Sequence, residues 1–129
     1  MALIRCDFIL TGDGYDPDII THALAIQPTR TWWHGDPIVP SSLSYKHDGW
    51  CLSTGPVEAL DVQDVAQPLL AQLIPLADDI ATLRAQWALD CEVAYTVQVE
   101  GTVPVFHFDL EMVQALAQLQ AELDIDVYT

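Results

Sequence analysis

Glu92-Val93-Ala94-Tyr95-Thr96-Val97-Gln98-Val99-Glu100 is the stretch that decides the fold. Val93, Tyr95, Val97 and Val99 alternate with Glu92, Ala94, Thr96, Gln98 and Glu100, and a period of two places the apolar set on one face of a strand. Gly101 turns the chain, and Val103 to Phe108 is expected to return as the hairpin partner. Upstream, Leu69, Leu73, Leu76, Ile80, Leu83 and Trp87 recur at alternating steps of four and three, which is a helical stripe. Pro75 falls inside it, and an interior proline costs about 3 kcal/mol. The residues from 65 to 88 therefore read as two helices or one sharply kinked one. Pro75 would open the second, with Asp78 and Asp79 in its first turn. Downstream, Asp109 can cap a helix over 110–121, and Leu123 to Tyr128 alternates as a closing strand.

The N-terminal half follows the same logic. Ile4, Cys6, Phe8 and Leu10 alternate with Arg5 and Asp7, a half-buried strand. A loop then leads to a helix over 17–24, with Asp16 as its cap and Pro17 in its first position. Pro28 ends it. Thr29 to Thr54 holds loops and short strands. Asp48-Gly49 lies between Leu43/Tyr45/His47 and Trp50/Leu52/Thr54, a two-residue hairpin signature. Pairing of the Trp50 strand with Thr31–His34 is the alternative. The order of elements gives an α+β fold, a mostly antiparallel sheet with helices packed on it, in a single domain over residues 1–129.

Charge narrows the function. The 129 residues carry 19 acidic side chains against 4 basic ones, a formal charge of −15. Folding at this length buries roughly two-thirds of the unfolded surface, and 51% apolar content supplies a core. Nucleic acid is disfavoured as a partner, because so few cations cannot neutralise many phosphates. An anionic membrane surface is disfavoured for the same reason. Val65 to Ala77 is too short to span a bilayer, and Arg5 and Asp7 interrupt any signal region, so a cytoplasmic location is expected. Cys6, Cys51 and Cys91 are odd in number and widely spaced, which predicts reduced, buried thiols and no disulfide.

Chemical motifs are sparse. Gly12-x-Gly14 lacks a third glycine and a following lysine, and Asp13, Asp16 and Asp18 would repel a phosphate, so it reads as a turn. The same acids lack the spacing and distal Glu of a calcium loop. His34/Asp36, His47/Asp48 and His107/Asp109 place carboxylates beside imidazoles without any known ligand spacing, and no metal or cofactor is predicted. No nucleophile elbow or activated cysteine is visible. Trp32-Trp33 is the most unusual feature: on a strand one indole points inward and the other outward. An exposed indole beside Asp36 and Asp48 would suit an interface.

The landmarks together resemble a bacterial family, domain of unknown function 4279. The resemblance rests on Phe8-Ile9-Leu10-Thr11-Gly12, Asp16-Pro17-Asp18-Ile19-Ile20-Thr21, Leu24-Ala25-Ile26-Gln27-Pro28, Gly35-Asp36, Trp50 with Leu52 and Ser53, the Leu69–Pro75 helix and Leu123–Tyr128. His34 stands where that family often carries a basic residue. The resemblance implies a fold and a bacterial or phage setting, and it supplies no catalytic residues.

These readings predict a non-catalytic acidic inhibitor or immunity-like protein that neutralises a basic partner such as a nuclease toxin. Its contact surface would use Trp32, Trp33, Asp36 and Asp48. An interaction module or assembly subunit, or a small-molecule or metal-binding domain, is the alternative.

Overall fold

A computed structural model describes residues 1–129. Its centre is strand β1 (Ala2–Gly12), whose alternation buries Ala2, Ile4, Cys6, Phe8 and Leu10 on one face. Helix α1 (Asp18–Leu24) follows, then strands β2 (Arg30–Trp32), β3 (Asp48–Ser53) and β4 (Val57–Ala59). Helix α2 (Val62–Leu73) runs through a single 3₁₀ turn, Ile74–Leu76, into helix α3 (Ala77–Trp87). Strand β5 (Asp90–Val99), helix α4 (Leu110–Gln118) and strand β6 (Glu122–Tyr128) complete the chain.

The sheet is six-stranded and mostly antiparallel, in the order β2-β3-β1-β5-β6, as the sequence predicts for an α+β fold. β5 lies along almost the whole of β1, from Ala2↔Val99 to Thr11↔Asp90. The other edge of β1 is shared end to end, with β3 against Asp7–Gly12 and β4 against Ala2–Ile4. Thr54 bridges the gap between them: its N–H donates to the Cys6 carbonyl (2.9 Å) and its Oγ1 accepts the Cys6 N–H (3.0 Å). All four helices contribute to one core with the even-numbered face of β1. Leu3, Arg5, Ile9 and Thr11 on the opposite face stay only half-buried.

The helices end where local chemistry stops them. Asp61 and Asp109 cap α2 and α4, accepting from the N–H groups of Gln63 (3.0 Å) and Met112 (2.8 Å). The break at Pro75 falls where expected, and Asp78 and Asp79 occupy the first turn of α3. Pro68 also sits inside α2, at an exposed position. Its missing N–H leaves only the Asp64 carbonyl unpaired, and Asp64 faces solvent. α1 stops earlier than Pro28, where Ala25 takes the left-handed conformation (φ 55°).

Two pairings differ from expectation. Val103–Phe108 is not the hairpin partner of β5, since both edges of β5 are occupied, antiparallel by β1 and parallel by β6. The segment makes only a bridge from Val105 to Asp61, and Pro104 within it has no N–H to give a ladder. Asp48-Gly49 is no hairpin turn either: both residues lie inside β3, which pairs with β2 through Thr31↔Trp50 and Trp32↔Gly49. The glycine is needed for space, because a Cβ there would overlap the Trp32 indole.

Cys6, Cys51 and Cys91 are free and buried. Burial pushes each thiol up to about 12 from an ordinary 9.0, with the Asp7 carboxylate adding to the effect at Cys6 and Cys51.

Three outcomes are expected. Gly49→Ala should cost about 1–3 kcal/mol in urea unfolding, and much of that loss should disappear in a Trp32→Ala background. The three thiols should resist a water-soluble disulfide reagent at pH 8 until the chain unfolds. A raised thiol pKa stabilises the fold fully below about pH 9, and this contribution should be lost as pH rises toward 12.

Candidate functional site

At one end of the sheet the loop leaving β1 meets the chain leaving β2. β1 closes on Gly12, and Asp13 to Asp16 turn outward, with Gly14 in the left-handed conformation (φ 71°). β2 ends at Trp32 and releases Trp33 and His34 toward that loop. Asp48, the first residue of β3, lies between the two. Its carboxylate takes the Gly14 N–H on Oδ2 (2.9 Å) and the His34 N–H on Oδ1 (2.7 Å), tying two loops to one strand. Hydrogen bonds to a charged acceptor are worth about 1.5–3 kcal/mol each, which offsets the desolvation of a side chain only 5% exposed.

The result is a broad cleft of about 730 Å³ lined by Asp13, Gly14, Tyr15, Asp16, Trp33, His34 and Asp48. Tyr15 closes its floor, donating its hydroxyl to the Leu10 carbonyl (2.8 Å). Burial, and then the Asp48 charge, push the Tyr15 phenol up, so it remains a neutral donor. His47 reaches across to Asp13, with Nδ1 and Oδ1 2.7 Å apart. Trp33 stands 52% exposed at the mouth. Asp36 accepts the Trp33 N–H on Oδ2 (2.8 Å), which sets the indole's base. Gly35 and Tyr45 hold this turn, the Gly35 N–H donating to the Tyr45 carbonyl and the Tyr45 N–H to that of Asp36.

Four residues were expected at a contact surface, and the structure divides them. Trp33 is exposed and Asp36 half-buried beside it. Trp32 is not a surface anchor: it is 7% exposed, stacked on Tyr45 at 4.6 Å between ring centroids, with the Arg30 guanidinium 5.2 Å from its ring. Alternation on β2 allows only one of the two indoles outside, and the glycine opposite Trp32 decides which. Asp48 is likewise buried, and each of its oxygens accepts a backbone N–H from a loop.

Asp13, Asp16, His34 and His47 join Trp33 only in the folded chain. Their clue in the sequence is the glycine-bracketed acidic loop, but nothing local says where that loop docks. His107 lies elsewhere, ahead of α4, so the three imidazole–carboxylate pairs do not meet. No group of three His, Cys, Asp or Glu side chains is placed to hold a metal ion.

Carboxylates and an exposed indole at an open cleft suit a cationic side chain, which can take both an ion pair and a cation–π contact. The fold and cleft define a two-layer α+β domain with an acidic, aromatic end. The chain belongs to the family described as domain of unknown function (DUF4279), which it matches over residues 2–129. No curated protein and no solved structure gave a match.

Asp48→Asn tests the cleft's foundation. A carboxamide has a single acceptor oxygen, so one of the two backbone donors loses its partner and faces an NH₂ group. The variant should lose about 2–3 kcal/mol in urea unfolding, with faster amide exchange at Gly14 or His34.

Proposed function

We propose that this chain is a non-catalytic binding protein of the inhibitor or immunity type, neutralising a basic protein such as a nuclease toxin by docking its cationic surface at the Trp33 cleft. The observation that carries this reading is the exposure of Trp33 among Asp13, Asp16 and Asp36, in a chain of charge −15. Affinity at such a surface comes from a few desolvated anchors, and a large rigid indole is among the best of them. The surrounding carboxylates supply steering: a negative field speeds encounter with a positive partner and repels acidic ones. A nuclease is positive where it grips phosphate, so an acidic cleft competes for the same surface.

The lining chemistry agrees with binding more than with turnover. Asp48 and Tyr15 are committed to holding the loops, and no cysteine reaches the cleft. What faces solvent is an indole, two imidazoles and carboxylates, all on short segments braced by the sheet.

The test uses a basic protein encoded beside this chain's gene, with the two purified separately. Association should slow by roughly tenfold or more between 0.1 and 1 M salt, as the Debye length falls from about 10 Å to about 3 Å. Asp13→Lys with Asp16→Lys should slow association, whereas Trp33→Ala should chiefly speed dissociation. An acidic partner, a salt-independent association rate, or turnover of a substrate by the isolated chain would each reject the proposal.

A further inference from the structure

The far edge of the sheet carries a second surface. β6 is the last strand, paired only with β5, so its outer backbone edge has no partner. An unpaired edge is a template for another strand unless something blocks it. The usual blocks are charged side chains, lysine above all, proline, a bulge or a covering helix. β6, Glu122-Leu123-Asp124-Ile125-Asp126-Val127-Tyr128, has no proline and no basic residue, and its only charges are three carboxylates, which block an acidic strand but not a basic one.

Its two faces differ sharply. Glu122, Asp124 and Asp126 share the face of Glu92, Ala94 and Thr96, the side of the sheet away from the helices. None of the three forms a salt bridge. Their crowding is felt by Glu92, whose carboxyl is raised by burial and then by Asp124, Glu122 and Asp126. Leu123, Ile125 and Val127 share the face of Val93, Tyr95 and Val97, over the core. Yet Leu123 is 41% and Val127 50% exposed, an apolar shelf that β6 does not itself cover.

A second copy of this chain does not fit that edge. Antiparallel pairing of two β6 strands about Ile125 would set Asp124 against Asp126 of the other copy, twice, and like charges directly opposite are destabilising. Both copies would also bring a charge of −15. The same stripe favours a strand that alternates basic and apolar residues.

We propose that the β6 edge docks an extended segment of a basic partner as an added strand, its Lys or Arg residues beside Glu122, Asp124 and Asp126 and its apolar residues on Leu123, Ile125 and Val127. Backbone pairing supplies affinity, and the alternation supplies selection. This rests on the reading that partners are basic, but not on the cleft. β2 and β6 lie at opposite edges of the sheet, roughly 19 Å apart at the usual strand spacing.

The probe is a short blocked peptide alternating Lys and Val, compared with an isomer of the same residues arranged in two blocks. The alternating peptide should bind roughly tenfold more tightly, since only it presents both faces in register. It should also slow amide exchange within 122–128. Asp124→Lys with Asp126→Lys, both at exposed positions, should abolish this preference and transfer it to an alternating Glu-Val peptide. Trp33→Ala should leave it unchanged. Equal binding of the two isomers, or no protection in β6, would overturn the proposal. Loss on Trp33→Ala with β6 unaffected would overturn it too, while leaving the cleft as the site. Loss of partner binding at the cleft with peptide binding intact would reject the cleft alone.

Discussion

β1 is hydrogen-bonded along both edges, and the remaining architecture depends on that one constraint. A strand flanked on both sides has no freedom of register, because a slip of one residue would turn Ile4, Cys6, Phe8 and Leu10 out of the core and bring Arg5 and Asp7 in. With β1 fixed, every helix has one face to cover. The opposite face is left to polar and half-buried residues and to one buried carboxylate, Asp7, whose Oδ2 lies 3.2 Å from the Arg5 Nε while its Oδ1 has no hydrogen-bond partner. The division of the outer edge between β3 and β4 follows as well. β3 must leave β1 before Ile4, and Thr54 satisfies the backbone where it does.

Period and capping were legible in the sequence because they are local. The alternations of Leu3–Leu10 and Val93–Val99, the stripe from Leu69 to Trp87 and the cap at Asp109 all act within a few residues of themselves. Strand pairing is not local, and there sequence reasoning failed. Val103–Phe108 has the composition of a strand, but β5 has only two edges and β6 takes the second through the α4 crossover. No local signal announces that competition. Asp48-Gly49 carries the strongest short hairpin signal in the chain, and its glycine answers instead to an indole from a strand far upstream in sequence.

The candidate site was half legible for the same reason. Trp32-Trp33 drew attention by its rarity, and alternation foretold that the two would part. Asp48 could not be sorted from the other eighteen acids by composition. Its role depends on two N–H groups, Gly14 and His34, that the fold brings to it from separate loops. A carboxylate that closes loops and one that meets a partner look alike in sequence, and burial alone tells them apart.

The few cations in this chain are mostly spent on the fold itself. Arg5 offsets Asp7, and Arg30 lies over the Trp32 ring. Arg84 donates to the Gln120 side chain (2.7 Å) and the Leu89 carbonyl (3.4 Å), fastening the end of α3. Only Lys46 is left in an exposed loop. The negative field is therefore nearly undiluted, and self-repulsion of that size works against the compact state. The acids are arranged to limit this cost, spread over helix starts, loops and the rim of the sheet, where water screens them. Asp18, Asp64, Asp78, Asp79 and Glu111 even stabilise the helices they begin, through the dipole. Asp16 gives one oxygen to the Asp18 N–H at the start of α1 (2.9 Å), but Asp13 at the same end of the sheet, and Glu122, Asp124 and Asp126 along its far edge, begin no helix. Charge held where it does least for folding is charge available to a partner, and these two places are where the structure leaves an indole and an unpaired strand beside it.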